Sequence, residues 1–122
     1  MENNYATMIS KIENGTYSFR DNQEFIGWRN AHVAWKAYNG SVDAALVLYD
    51  ELIPYWRLTH GWDDRINGWT WNLTNNTDKS RKYTSGTSMI PSRAFLIAIL
   101  KAYYIDKEAS NDRLQEVGPE NL

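Results

Sequence analysis

The sequence predicts an α+β domain, a three-stranded antiparallel sheet covered on one face by two main helices. Three observations carry that expectation. Segments 42–53 and 91–105 repeat apolar residues at helical spacing. Between them the pattern switches to a period of two over 55–60, 68–73 and 81–85. The loops joining these strands are short and polar, as in a meander of consecutive antiparallel strands. At 122 residues the chain is one domain's worth. Residues 1–117 are expected to form that unit, and 118–122 a flexible tail. Six Trp, eight Tyr and three Phe mean that rings must fill much of its core.

The N-terminal segment reads as an additional short helix. Tyr5, Met8, Ile9 and Ile12 share one stripe, Asn3 or Asn4 caps it, and Gly15 suits the left-handed position that ends it. Residues 15–40 follow no clean period. Residues 16–19 alternate weakly, and Phe25, Ile26, Trp28, Val33, Trp35 and Tyr38 fit neither 2 nor 3.6. An irregular, aromatic-rich arm is expected there.

The next element is clearer. Asn39, Gly40 and Ser41 form a turn, and the Ser41 hydroxyl can accept from a free first-turn amide. Asp43 puts negative charge at the positive end of the helix dipole. Val42, Ala45, Leu46, Tyr49, Leu52 and Ile53 form the expected apolar face, with Asp43, Asp50 and Glu51 in water. Pro54 lacks the N–H needed to continue and stops the helix.

Trp56, Leu58 and His60 then alternate with Tyr55, Arg57 and Thr59. Asp63, Asp64 and Asn67 followed by Gly68 signal a hairpin turn. Trp69, Trp71 and Leu73 share one face of the second strand. Residues 75–78 read as another turn, and Tyr83 anchors a weaker third strand. Pro91 suits the first position of the last helix, whose buried face is Phe95, Leu96, Ile99, Leu100 and Tyr103. From Asp106 the composition turns polar, and the chain is expected to fray.

Composition excludes several classes of function. There is no cysteine, hence no disulfide, thiolate nucleophile or Cys-based metal site. The longest apolar run, 94–100, is far short of the roughly twenty residues that cross a bilayer. Glu2 and Glu13 interrupt the first fourteen residues, which do not read as a secretory signal. A cytoplasmic location and no membrane partner are the expectation.

Two blocks carry a resemblance. Residues 41–56 read SVDAALVLYDELIPYW, and residues 91–102 read PSRAFLIAILKA. With the tryptophan-rich hairpin between them, residues 41–104 resemble small phage and prophage proteins of the "phage ABA sandwich" group. Ser41, Asp43, Ala44, Ala45, Leu46, Pro54 and Trp56 fit the first block of that group. Pro91, Arg93, Ala94, Leu96 and Ala102 fit the second. Tyr55 stands where the group has glycine, and Ile90 where it has a capping threonine. The matched residues are caps, a stop and core, so the resemblance implies a fold and a phage setting, and no catalytic residue.

No enzymatic signature is present. A catalytic zinc needs three protein ligands, and His60 with Asp63 and Asp64 is the sole paper candidate, in a turn that reads as a solvated loop. No pair of carboxylates is singled out for acid–base work. No catalytic residue, metal or cofactor is therefore expected.

The tryptophans say more. Trp56, Trp69 and Trp71 have a home beneath the helices, whereas Trp28, Trp35 and Trp62 fall on segments without a regular face. Tryptophan and arginine anchor interfaces more than other residues. Trp28, Arg29, Trp35, Trp62 and Arg65 are accordingly the candidate protein-binding residues, for a protein partner or self-association. The alternative is an anion. The net charge is −2, yet residues 79–105 carry Lys79, Arg81, Lys82, Arg93 and Lys101 with no acid. Lys79, Arg81, Lys82 and Arg93 could serve a nucleotide or nucleic acid, and the helix–three strands–helix order is that of double-stranded-RNA-binding domains. A generic duplex binder would show a broader cationic face. The sequence thus favours a small non-enzymatic accessory protein that acts by protein–protein interaction, binding or inhibiting a host protein.

Overall fold

The computed structural model describes residues 3–18, 26–77 and 80–117, with side chains at 6–18, 26–75 and 82–108. The expected tail at 118–122 lies outside the described residues. The order is α1 (Asn3–Asn14), α2 (Trp28–Tyr38), α3 (Val42–Leu52), β1 (Arg57–Asp63), β2 (Gly68–Thr77), β3 (Ser80–Ser88) and α4 (Pro91–Val117). The strands form one antiparallel sheet in the order β1-β2-β3. The α+β class with a three-stranded antiparallel sheet is as the sequence predicts.

α4 lies on β3 and β2, and the other helices gather on its far flanks. Its approach to β3 is set by small residues. A Cβ on Gly86 would sit 2.1 Å from the Ala94 carbonyl oxygen and 2.8 Å from the Ala98 nitrogen, so only glycine fits. The Thr84 hydroxyl donates to the Ala98 carbonyl at 3.1 Å and fixes the helix lengthwise. α3 packs on α4 from the same side, its Tyr49 ring 5.9 Å from that of Phe95. Phe95 in turn stacks on Trp71 at 4.1 Å, with the rings within 7° of parallel. Residues 94–100 of α4 are buried all round, because the helix has sheet on one side and helices on the others.

Caps form where the sequence places them. The Ala44 amide donates to the Ser41 hydroxyl at 3.0 Å. Gly15, at φ 79°, closes α1, whose Met8, Ile9 and Ile12 are buried. At the start of α4, where a threonine cap is missing, the Ser88 hydroxyl accepts from the Ile90 amide at 3.1 Å. Asn67, at φ 51°, completes the four-residue loop between β1 and β2.

Four expectations are corrected. Residues 28–38 are not an irregular arm but the helix α2. Its buried face is Ala31, Ala34, Ala37 and Tyr38, and that stripe of small residues is hidden when only large side chains are scored. On α3 one residue of the expected face is misplaced: Leu46 is 39% exposed and Leu48 is buried instead, while Ala45 and Ile53 are buried and Val42, Tyr49 and Leu52 pack against the core as expected. The turn expected at 75–78 begins later, because β2 continues to Thr77, which pairs with Ser80. α4 does not fray at Asp106 but runs to Val117, a stretch with good helix formers and neither Gly nor Pro. Asp106 itself is an anchor. Its carboxylate accepts from the Tyr55 hydroxyl and, at 3.1 Å, from the Trp56 indole, tying α4 to the link between α3 and β1.

Candidate functional site

The strand pairing sorts side chains onto two faces. Leu58, His60 and Trp62 of β1 share the helix side with Trp69, Trp71 and Leu73 of β2. α4 covers β3 and β2 but leaves this outer strand largely uncovered. Leu73 is fully buried and Trp71 nearly so, whereas Trp69 is half-buried and Trp62 is 47% exposed. His60 stacks on Trp71 at 4.3 Å on the side away from Phe95, and Trp62 meets Trp69 edge-on at 5.8 Å. Ile66 in the loop and Met89 just after β3 are exposed at the same end of the sheet.

The polar groups there are committed locally. The Trp62 indole donates to Asp64 at 2.7 Å. Asp63 accepts from the Arg65 backbone amide at 3.0 Å and from its guanidinium at 3.1 and 3.2 Å. Those bonds hold the Asp63 carboxyl below its ordinary range and the Arg65 guanidinium above its own. His60, Asp63 and Asp64 therefore do not converge. Among the described residues no group of three His, Asp or Glu side chains is placed to hold a metal.

Trp28 and Arg29 begin α2, both exposed. The Trp28 ring is 59% exposed and stands edge-on to His32, one turn along, at 4.3 Å. Gly27, at φ 88°, turns the chain into the helix here, and no side chain caps it. Trp35 is different. It stacks on Tyr38 at 5.6 Å and lies 6.1 Å from Tyr17, so it fastens α2 to the segment after α1. Of the five candidate docking residues, Trp28 and Arg29 share one surface, Trp62 and Arg65 another, and Trp35 packs within the fold.

The basic residues do not form one patch. Arg93 donates to the Tyr38 carbonyl at 2.7 Å, and its guanidinium lies 3.9 Å above the Tyr38 ring. Lys101 donates to the Ser85 carbonyl at 3.1 Å, on β3. Lys82 is half-buried, and Lys79 and the Arg81 side chain lie outside the described residues. Two cations of the run are thus spent on holding α4 to its neighbours.

No family model, curated protein or solved structure matches the chain. Its own geometry must carry the functional reading. What sequence reasoning missed is the packed alanine face of the helix that carries Trp28, and the exposure of β1. Alanine spacing at 31, 34 and 37 could have found the first; the second depends on where α4 lies.

Proposed function

We propose that this is a small non-enzymatic accessory protein that acts by binding another protein, with Trp28 and Arg29 at the start of α2 as its docking anchors. The carrying observation is the exposure of Trp28, 59%, on a helix whose Ala31, Ala34, Ala37 and Tyr38 are buried. An indole on a helix already packed against the fold loses less freedom on binding than one on a loop, and offers a large apolar area beside a bidentate cation. The phage or prophage setting rests on the sequence blocks at 41–56 and 91–102, and a cytoplasmic location and inhibition of a host protein follow from that setting. Among the described residues, no helix is long and apolar enough to cross a membrane. The anion-binding alternative is weakened by the engagement of Arg93 and Lys101 within the fold.

The test compares wild type with Trp28→Ala in two measurements, thermal unfolding and recovery of bound protein from bacterial host lysate. The variant should unfold within a few degrees of wild type, while a partner recovered with wild type is lost, as for anchors worth about 2 kcal/mol or more. Unchanged recovery, or a stability loss of about 3–5 kcal/mol as for a core indole, would reject Trp28 as the anchor. Recovery of nucleic acid with steep salt dependence would favour the alternative.

A further inference from the structure

The sheet has two open edges, and they are not alike. On β3, Lys101 reaches the Ser85 carbonyl from α4, which lies over that strand. Lysine at an edge and a covering helix are standard protection against strand addition. β1 has neither. Its seven residues pair with β2 in unbroken register, with no bulge and no proline, and its helix-side face carries half-buried Leu58, exposed His60 and exposed Trp62 in turn. An unpaired edge of this length is a template for another strand.

The sequence of β1 says which strand. Read as Arg-Leu-Thr-His-Gly-Trp-Asp, it is complementary to itself run backwards. Antiparallel pairing about a two-fold axis through His60 sets Arg57 opposite the partner's Asp63, Leu58 opposite the partner's Trp62, and Thr59 opposite the partner's Gly61. Charges of opposite sign meet on the open face at both ends of the seam, where each Asp63 already accepts from Arg65 of its own chain. Apolar side chains meet on the helix face. A two-fold axis perpendicular to the sheet keeps each face with its like, so paired residues must share parity. Axes through Thr59 or Gly61 also satisfy parity, but both leave part of β1 unmatched and neither brings Arg57 to Asp63.

We infer that the chain forms a symmetric dimer through β1, giving one six-stranded antiparallel sheet in the order β3-β2-β1-β1′-β2′-β3′. The occupant of the edge is a second copy, because charge and shape on β1 are complementary to β1. The pairing uses up the β1 edge of both copies and so closes at two. It covers the exposed Trp62 with the partner's Leu58 and leaves Trp28 outside the seam. This inference does not depend on the Trp28 surface.

Sedimentation of the purified full chain over a range of concentrations reads the association directly. Arg57→Asp or Asp63→Arg alone sets like charges opposite each other twice per dimer and should weaken association on the order of tenfold or more. Combining both substitutions restores opposite charges and should restore the dimer. Far-UV circular dichroism and thermal unfolding at low concentration confirm that each variant is folded. The absence of cysteine allows a second, positional test. His60→Cys, at the axis, should cross-link two chains under oxidation or with a short bismaleimide, while Tyr83→Cys on β3 should not. A wild-type chain that stays monomeric at every concentration overturns the inference. So does a double variant no stronger than the singles, or cross-linking through Tyr83→Cys instead of His60→Cys.

Discussion

β3 and β1 flank the same central strand, yet one is sealed and the other is open. β3 presents Gly86 and Thr84 to α4, and the helix backbone comes down to within contact of the strand. β1 presents His60 and Trp62 on the corresponding face, and α4 does not lie over it. Phe95 marks the boundary, stacked on Trp71 with His60 on that ring's other side. The difference teaches that side-chain size on a strand decides how closely a helix can sit. Where the strand is small the sheet joins the core; where it is large the rings remain as surface.

The widest test of that contrast is deletion of a ring on each side of the boundary. Phe95→Ala should cost about 3–5 kcal/mol, because a fully buried ring leaves a cavity between helix and sheet that cannot close. Trp62→Ala, half exposed and off the helix footprint, should cost less than about 1 kcal/mol in the dilute chain. Denaturant midpoints decide it. Equal losses would mean that β1 is as much core as β3.

A smaller effect, with opposite signs, comes from the two strand glycines. Gly86→Ala should destabilise by about 1–3 kcal/mol or more, since the added methyl meets backbone that cannot swing away. Gly61→Ala meets nothing within 4 Å and has no left-handed backbone to strain. It should be neutral or stabilise by up to about 1 kcal/mol by restricting the unfolded chain. Loss of stability at both positions would break the comparison.

The smallest effect sharpens the joint where β1 begins. The Tyr55 hydroxyl is pushed up to about 12 from 10 by loss of water around it, by its bond to Asp106 and by that carboxylate's charge. A raised phenol pKa means that the folded chain holds the proton more tightly than the unfolded one. The stabilisation is complete below pH 10 and is lost as pH rises through about 12. Tyr55→Phe should flatten part of that alkaline limb in pH-dependent unfolding, modestly because the ring is mostly exposed. Tyr49, raised first by burial and then by the charge of Asp50, leaves a residual limb in the variant.

Much of the fold was legible residue by residue. Ser41 as a cap, Pro54 as a stop, Asn67 before Gly68 as a turn and the two-residue alternation at Trp69, Trp71 and Leu73 all act through local backbone geometry. α2 was not legible through its large residues, because its packing face is mostly Ala31, Ala34 and Ala37, with Tyr38 the one large residue among them. Leu46 was misplaced for a related reason. Leu46 and Leu48 are equally apolar, so hydrophobicity alone leaves open which of the two is buried. As for the site, Trp28 and Arg29 could be named as a pair, but Trp35 could not be told from them until Tyr38 and Tyr17 were seen around it.

The sequence by itself determined the α+β class, the strand order along the chain, the caps and the absence of thiol chemistry, since each follows from short-range covalent and hydrogen-bond constraints. Only the tertiary structure decided that Arg93 is spent on Tyr38, that Asp106 anchors α4 rather than ending it, and that β1 stands outside the helix cover. Those outcomes depend on contacts between elements far apart in the chain. Burial is non-directional, so no local pattern could choose among them; the close fit of α4 at Gly86 did.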